Sequence, residues 1–98
     1  MVDEIDWRTV VVQHLGYVPG REALVVRRDV YAESSPKLGV AIARQDAVEE
    51  LCRTATLLEA NAVLAVQFQY QQLAQGTWVC YASGTAVLLG AEASTSSP

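Results

Sequence analysis

The chain has 98 residues, 51% of them apolar, and a net charge of −4 from seven basic and eleven acidic residues. This composition favours one folded domain over a disordered chain, and the acidic balance argues against tracking of a nucleic-acid phosphate backbone. No apolar run approaches the roughly 20 residues of a membrane-spanning helix, and the acidic start does not resemble a signal peptide. We therefore expect a cytoplasmic protein with neither a nucleic-acid nor a membrane partner.

The first part of the chain predicts a strand, a turn and a weaker second strand. Residues 9–18 are rich in valine and end at Pro19 and Gly20, which is typical of a strand that enters a turn. A short second strand is predicted over 22–26. We expect it to be a poor core element, because residues 27–29 after it are all charged.

The middle of the chain predicts one long helix. Ser34 and Ser35 before Pro36 are typical of a helix start, since serine caps free N–H groups and proline suits the first turn. Apolar residues then recur at three- and four-residue steps, which places them on one helical face. This face comprises Leu38, Ile42, Val48, Leu51, Cys52, Ala55 and Leu58. The pattern is clearest over 43–60, and Asn61 is predicted to end the helix in a left-handed conformation.

The last part of the chain predicts a β-hairpin, because the period of the apolar pattern changes to two residues. A strand over 63–70 leads through a turn at Gly76 into a strand over 77–89. A three-residue loop with left-handed Gly76 gives a register that pairs Tyr70 with Cys80, Phe68 with Ala82 and Val66 with Gly84. Large side chains of one strand then face small ones of its partner, which leaves room for a helix.

The combined prediction is an α+β fold, a β-α-β-β two-layer unit in which one long helix covers an antiparallel three-stranded sheet. Residues 1–89 form this single domain, and residues 90–98 form a flexible C-terminal tail. The uncovered sheet face carries amide and hydroxyl side chains, namely Gln67, Gln69, Gln71, Tyr81, Ser83 and Thr85. A domain this small with so much apolar surface is expected to associate with copies of itself.

Two stretches resemble the YbjQ-like family: Ala-Asn-Ala-Val at 60–63 and Ala-Ser-Gly-Thr-Ala-Val at 82–87. Residues 14–23 also resemble that family's first strand and turn, so the resemblance extends over about residues 10–89. It implies a dodecin-like β-α-β-β subunit that assembles into a ring of five. The family is named for heavy-metal binding and its function is unknown. In this chain the segment 30–39 is shorter than is usual in the family.

The sequence offers few candidate ligands for a metal site. Three carboxylates of the family's pattern are amides over residues 67–71 here, and amide oxygens are poorer ligands for divalent cations. The remaining candidate ligands for a divalent or heavy-metal ion are Cys52, Cys80 and His14, with the two cysteines as neighbours beneath the helix. The competing interpretation, which we favour, makes both cysteines core residues and leaves the protein without a cofactor.

An enzyme is the least supported class, because the sequence offers neither a nucleophile beside a base nor a glycine-rich phosphate loop. We predict a non-enzymatic, self-assembling domain of unknown function, with a pentamer favoured. The alternative is a metal-ion or small aromatic-ligand binding protein with sites at the subunit junctions. Trp78, Tyr81, Gln67 and Gln69 are the candidate ligand-face residues, because rings and amides suit planar ligands.

Overall fold

The computed structural model describes residues 6–90, which form one helix packed on a face of a five-stranded sheet. The strands are β1 (Val11–Val12), β2 (Ala23–Glu33), β3 (Lys37–Leu38), β4 (Ala62–Gln72) and β5 (Thr77–Leu89). The helix α1 (Val40–Leu57) lies between β3 and β4 in the chain, and short 3-10 turns at Trp7–Thr9 and Ala74–Gly76 precede β1 and β5.

The three long strands are antiparallel neighbours with β5 in the centre, between β4 and β2. β1 runs parallel to the outer side of β4, and β3 pairs with the start of β5, so the sheet is mixed. The predicted α+β class with one helix over a sheet is confirmed. The predicted three-stranded antiparallel sheet has too few strands. The first long strand of the structure is β2, whereas residues 9–18 contain only the two-residue strand β1.

β2 tolerates its charges because it is an edge strand. Only Val30 in this strand is fully buried, and Arg27, Arg28 and Asp29 remain exposed to water. The charges therefore lose little hydration, and β2 extends to eleven residues where the sequence pattern predicted five.

The helix begins at Val40 after Gly39, later than the serines predict. Ser34 instead ends the pairing of β2 with β5: its N–H donates to the Cys80 carbonyl at 2.8 Å, and its Oγ accepts from the Cys80 N–H at 2.9 Å. The Ser35 N–H donates to Asp46 Oδ2 at 2.9 Å. Both serines thus bond to partners outside the first turn of the helix, and neither caps it.

The helix ends in a Schellman motif. The Ala60 N–H donates to the Ala55 carbonyl at 2.9 Å, the Glu59 N–H donates to the Thr56 carbonyl at 3.0 Å, and Glu59 has a φ of 58°. The left-handed residue is therefore Glu59, and the prediction of Asn61 is wrong.

Asn61 instead bonds through its side chain to the end of β5. Its Nδ2 donates to the Leu89 carbonyl at 3.1 Å, and its Oδ1 accepts from the Leu89 N–H at 2.7 Å. The amide replaces a strand neighbour at the end of β5.

Small residues let α1 lie close to the sheet. The fully buried core between the helix and the sheet consists mostly of small side chains and includes Ala43, Ala47, Leu51, Ala55, Val63, Cys80 and Ala86. Leu38 and Ile42, predicted on the buried helical face, are exposed. The helix rests on the sheet through its alanine face, and that orientation turns Ile42 towards solvent.

The hairpin register is confirmed over most of its length, with Tyr70 opposite Cys80 and Phe68 opposite Ala82. The regular pairing is interrupted between Gln67 and Leu64 by a β-bulge, in which Ala65 has a φ of 54°. The predicted pair of Val66 with Gly84 falls at this bulge and is not a regular pair.

The end of the described chain is tied to the start of β2. The Gly90 N–H donates to the Glu22 carbonyl, and the Gly90 carbonyl accepts from Arg21 Nε, each at 2.8 Å. The rest of the predicted tail, residues 91–98, lies outside the described residues. Within residues 6–90 no helix is both long and apolar enough to cross a membrane.

Gly84 provides a test of the close packing between β5 and the side chains of β4. A Cβ at this position would lie 2.5 Å from Val63 Cγ1 and 3.0 Å from both Val66 Cγ2 and the Leu64 carbonyl oxygen. We expect Gly84→Ala to lower the free energy of unfolding by about 1–3 kcal/mol, because neither the β-branched side chains nor the backbone can move away freely. Urea denaturation measures this change.

The matched control is Gly16→Ala, where an added Cβ meets no atom within 4 Å. Its free energy of unfolding should stay within about 0.5 kcal/mol of the original. Equal stability of the two variants would contradict the close packing over Gly84.

Candidate functional site

A groove crosses the three long strands on the sheet face that α1 leaves open. It has a volume of about 450 Å³. Its side chains form two rows across β2, β5 and β4, in which the register places Tyr31, Ser83 and Gln67 side by side, followed by Glu33, Tyr81 and Gln69. Same-face residues of a strand are about 6.8 Å apart, which sets the spacing of the rows.

The groove exists because its central residue is small. Ser83 lies between Tyr31 and Gln67, and its short side chain leaves a hollow between two long ones. Tyr81 closes one end, where its hydroxyl donates to Gln71 Oε1 at 3.0 Å. Tyr31 on the edge strand is 72% exposed, so a ligand can reach its ring.

A smaller hollow of about 230 Å³ continues the groove towards Thr85. The Thr85 hydroxyl donates to Asp29 Oδ1 at 3.0 Å there. Glu33 and Asp29 contribute carboxylates to the lining of the two hollows, and the lining residues contain no lysine or arginine. The open face therefore carries negative charge beside aromatic rings.

The structure brings three of the four sequence-predicted ligand-face residues together, since Gln67, Gln69 and Tyr81 all line the groove. Trp78 is not one of them, because it packs half-buried against the core beneath the helix. The sequence reasoning missed Tyr31 and Glu33. Their signal is the two-residue alternation of polar and apolar residues over 29–33, which is typical of a strand with one face open to water.

The two cysteines lie in the core between α1 and β5. Cys52 and Cys80 are both buried and both free. Burial raises the pKa of each thiol, and for Cys80 the nearby Arg44 guanidinium opposes part of that rise. Both thiols are accordingly protonated at neutral pH, whereas a metal ligand or a nucleophile has to be a thiolate.

His14 lies elsewhere, in the exposed segment that follows β1. Its neighbour Gln13 accepts through its carbonyl from the Val66 N–H at 3.1 Å on the outer side of β4. Cys80 pairs with Tyr70, four residues further along β4 and on its inner side. Strand geometry then separates the backbones of His14 and Cys80 by roughly 16 Å. Within residues 6–90 no three His, Cys, Asp or Glu side chains group closely enough to hold a metal ion.

Residues 27–90, which contain most of β2 and all of α1, β4 and β5, match a family described as "Putative heavy-metal-binding". A UPF0145 protein of Anoxybacillus flavithermus is 34% identical over 90 residues, covering 81% of this chain and 86% of that protein. A UPF0145 protein of Haemophilus ducreyi is 30% identical over 92 residues, covering 82% and 88%.

The fold also has a counterpart among solved structures. A DUF74-family protein of unknown function from Pediococcus pentosaceus superimposes with a TM-score of 0.62 at 17% identity. The match covers 83% of this chain and 98% of that one. At this identity the likeness concerns the fold alone.

The buried thiols predict a pH dependence of stability. Because the pKa of each thiol is raised in the folded state, their contribution is fully present below the ordinary value of 9.0 and is lost as pH rises through the folded values. The free energy of unfolding should therefore fall above about pH 9, and Cys52→Ala should reduce that slope. Urea denaturation between about pH 7 and pH 10 measures both slopes.

Every other titratable group is the same in both proteins, so the difference between the slopes isolates the Cys52 thiol. Identical slopes for the variant and the original chain would contradict a raised pKa at Cys52.

Proposed function

The chain belongs to the YbjQ-like family, and from that membership and its sheet edges we propose that it is a non-enzymatic subunit of a closed ring of identical copies. The observation that carries the proposal is the long edge strand β2. Val26 in this strand is 63% exposed and Tyr31 is 72% exposed, with Leu24 and Val25 also exposed. Long apolar edges promote unspecific aggregation unless a specific partner covers them.

A closed ring requires two different edges, because each copy offers one edge to the copy before it and another to the copy after it. β2 is the first edge. The second is the outer side of β4 over residues 67–72, since β1 and the segment after it bond to β4 only as far as Val66. Pairing of the first edge with the second edge of the next copy would continue one sheet around the ring.

We propose that the ring contains five copies in a dodecin-like arrangement, because the resemblance implies that number.

We propose the cytoplasm as the compartment of the protein. The two free cysteines support it, because a reducing compartment keeps thiols unpaired. The net charge of −4 supports a partner other than nucleic acid.

Two edge variants test the ring. Val26→Lys places a charge on β2, and Tyr70→Lys places one on the outer part of β4, so each should convert a ring into monomers. Native mass spectrometry and sedimentation velocity at micromolar concentration measure the state, and circular dichroism monitors the fold. The comparison variant is Leu57→Lys at the end of the helix, where an 84% exposed leucine belongs to neither edge strand; it should leave the ring intact.

A monomeric original chain would contradict self-assembly. Loss of assembly in Val26→Lys alone would contradict the head-to-tail ring and indicate a two-fold dimer through β2. Loss of assembly in Leu57→Lys would show that the interface includes the helix.

A metal-ion carrier is the second candidate, and the description of the family is the observation that favours it. Cys52 and Cys80 are its candidate pair of soft donors, because both belong to one core cluster. Binding would have to deprotonate both thiols against the rise in their pKa that burial causes.

Native mass spectrometry with Zn²⁺, Cu²⁺ and Cd²⁺ separates the two candidates. If the cysteines are core residues, Cys52→Ser and Cys80→Ser should each lower the free energy of unfolding by about 1–3 kcal/mol without changing metal uptake. His14→Ala serves as the control for the third predicted donor. Uptake of one ion per subunit that either serine variant abolishes, with the fold preserved, would replace this expectation with a metal carrier.

A further inference from the structure

We propose that the groove between Tyr31 and Tyr81 on the open sheet face binds a small planar organic cation. The site goes beyond self-assembly, because all of its lining residues belong to one chain. Its volume of about 450 Å³ lies in the range of pockets that hold small organic ligands.

The spacing of the two tyrosines suits one inserted ring. Tyr31 lies opposite Ser83, and Tyr81 lies two residues from Ser83 on the same face of β5. The tyrosines are thus diagonal neighbours on antiparallel strands, and such pairs are about 7–8 Å apart. A planar ligand in contact with a ring on each side needs about 3.5 Å per contact, or roughly 7 Å in all.

The charge of the groove selects a cation. Asp29 and Glu33 precede and follow Tyr31 by two residues on the same face of β2, so one carboxylate lies on each side of its ring, about 6.8 Å along the strand. A cation over the tyrosine face gains attraction from the ring and from both carboxylates. An anion would meet repulsion from the same groups.

The polar groups of the groove include acceptors for hydrogen bonds from a cation. The carbonyl oxygens of Gln67 and Gln69 are acceptors along the β4 side of the groove. The Tyr81 hydroxyl already donates to Gln71, which holds that ring in place. The Glu33 carboxylate makes neither a side-chain hydrogen bond nor an ion pair with any other residue of 6–90, so it is open to a cationic N–H donor.

Three indole probes that differ in charge test the site. Tryptamine is a cation at neutral pH, tryptophol is neutral and indole-3-propionate is an anion. In titrations followed by ¹H–¹⁵N NMR at low salt, tryptamine should shift the amide signals of residues 29–33 and 81–85. It should bind roughly three- to tenfold more tightly than tryptophol. Indole-3-propionate should bind most weakly.

Four substitutions test which residues determine the preference for a cation. Glu33→Gln should reduce tryptamine affinity towards that of tryptophol and leave tryptophol binding unchanged, whereas Tyr31→Ala should weaken both. Glu50→Gln on the helix removes the same charge away from the groove and should leave tryptamine affinity unchanged. Tyr17→Ala, which removes an exposed tyrosine outside the groove, should also have no effect.

Equal affinity for the three probes, shifts outside the groove, or equal effects of Glu33→Gln and Glu50→Gln would each overturn the proposal. The titration is repeated on the edge variant Val26→Lys, which retains every groove residue. Tryptamine binding to both proteins supports a site within one chain, whatever the outcome for the ring. Binding to the assembled protein alone would overturn that assignment.

Discussion

The close approach of α1 to the central strand β5 is the constraint on which the rest of the structure depends. It requires small residues in both layers, supplied by the alanines of the helix and by Ala82, Gly84 and Ala86 of the strand. β4 then fills the space over Gly84 with the side chains of Val63 and Val66. Because one helix covers one face, the other face of the same three strands is left with rings, amides and carboxylates beside water.

The two-residue period of the apolar pattern predicted those features of the fold that depend on residues close together in the sequence. The alternation over 63–70 and 77–89, together with a short loop at left-handed Gly76, was sufficient for the hairpin, most of its register and the polar face with Gln67, Gln69 and Tyr81. The alternation also places Trp78 on the same side as Cys80, which agrees with its position under the helix. The bulge at Ala65 was not predictable, because alanine carries no local preference for a left-handed conformation.

Tertiary position decided the features that the sequence reasoning missed. The charges of 27–29 argue against a buried strand, yet an edge strand needs little burial, so β2 forms. Ser34 carries a helix-start signal, but bonding both backbone groups of Cys80, 46 residues away, assigns it to the sheet. Tyr31 and Glu33 joined the candidate site for the same reason, since their neighbours Ser83 and Tyr81 lie in a distant part of the chain.

The central position of β5 also imposes an order on folding during synthesis. β2 and β4 each pair along their length with β5 and not with each other, and β5 is the last of the three to leave the ribosome. Until then α1 has only the unpaired strand β2, and later β4, on which to pack its alanine face. Sheet formation is therefore a late, cooperative step that joins residues as far apart as Asp29 and Thr85, and topologies of this kind fold slowly. The nascent chain thus holds β2 and β4 without their common partner for the whole interval in which β5 is being made.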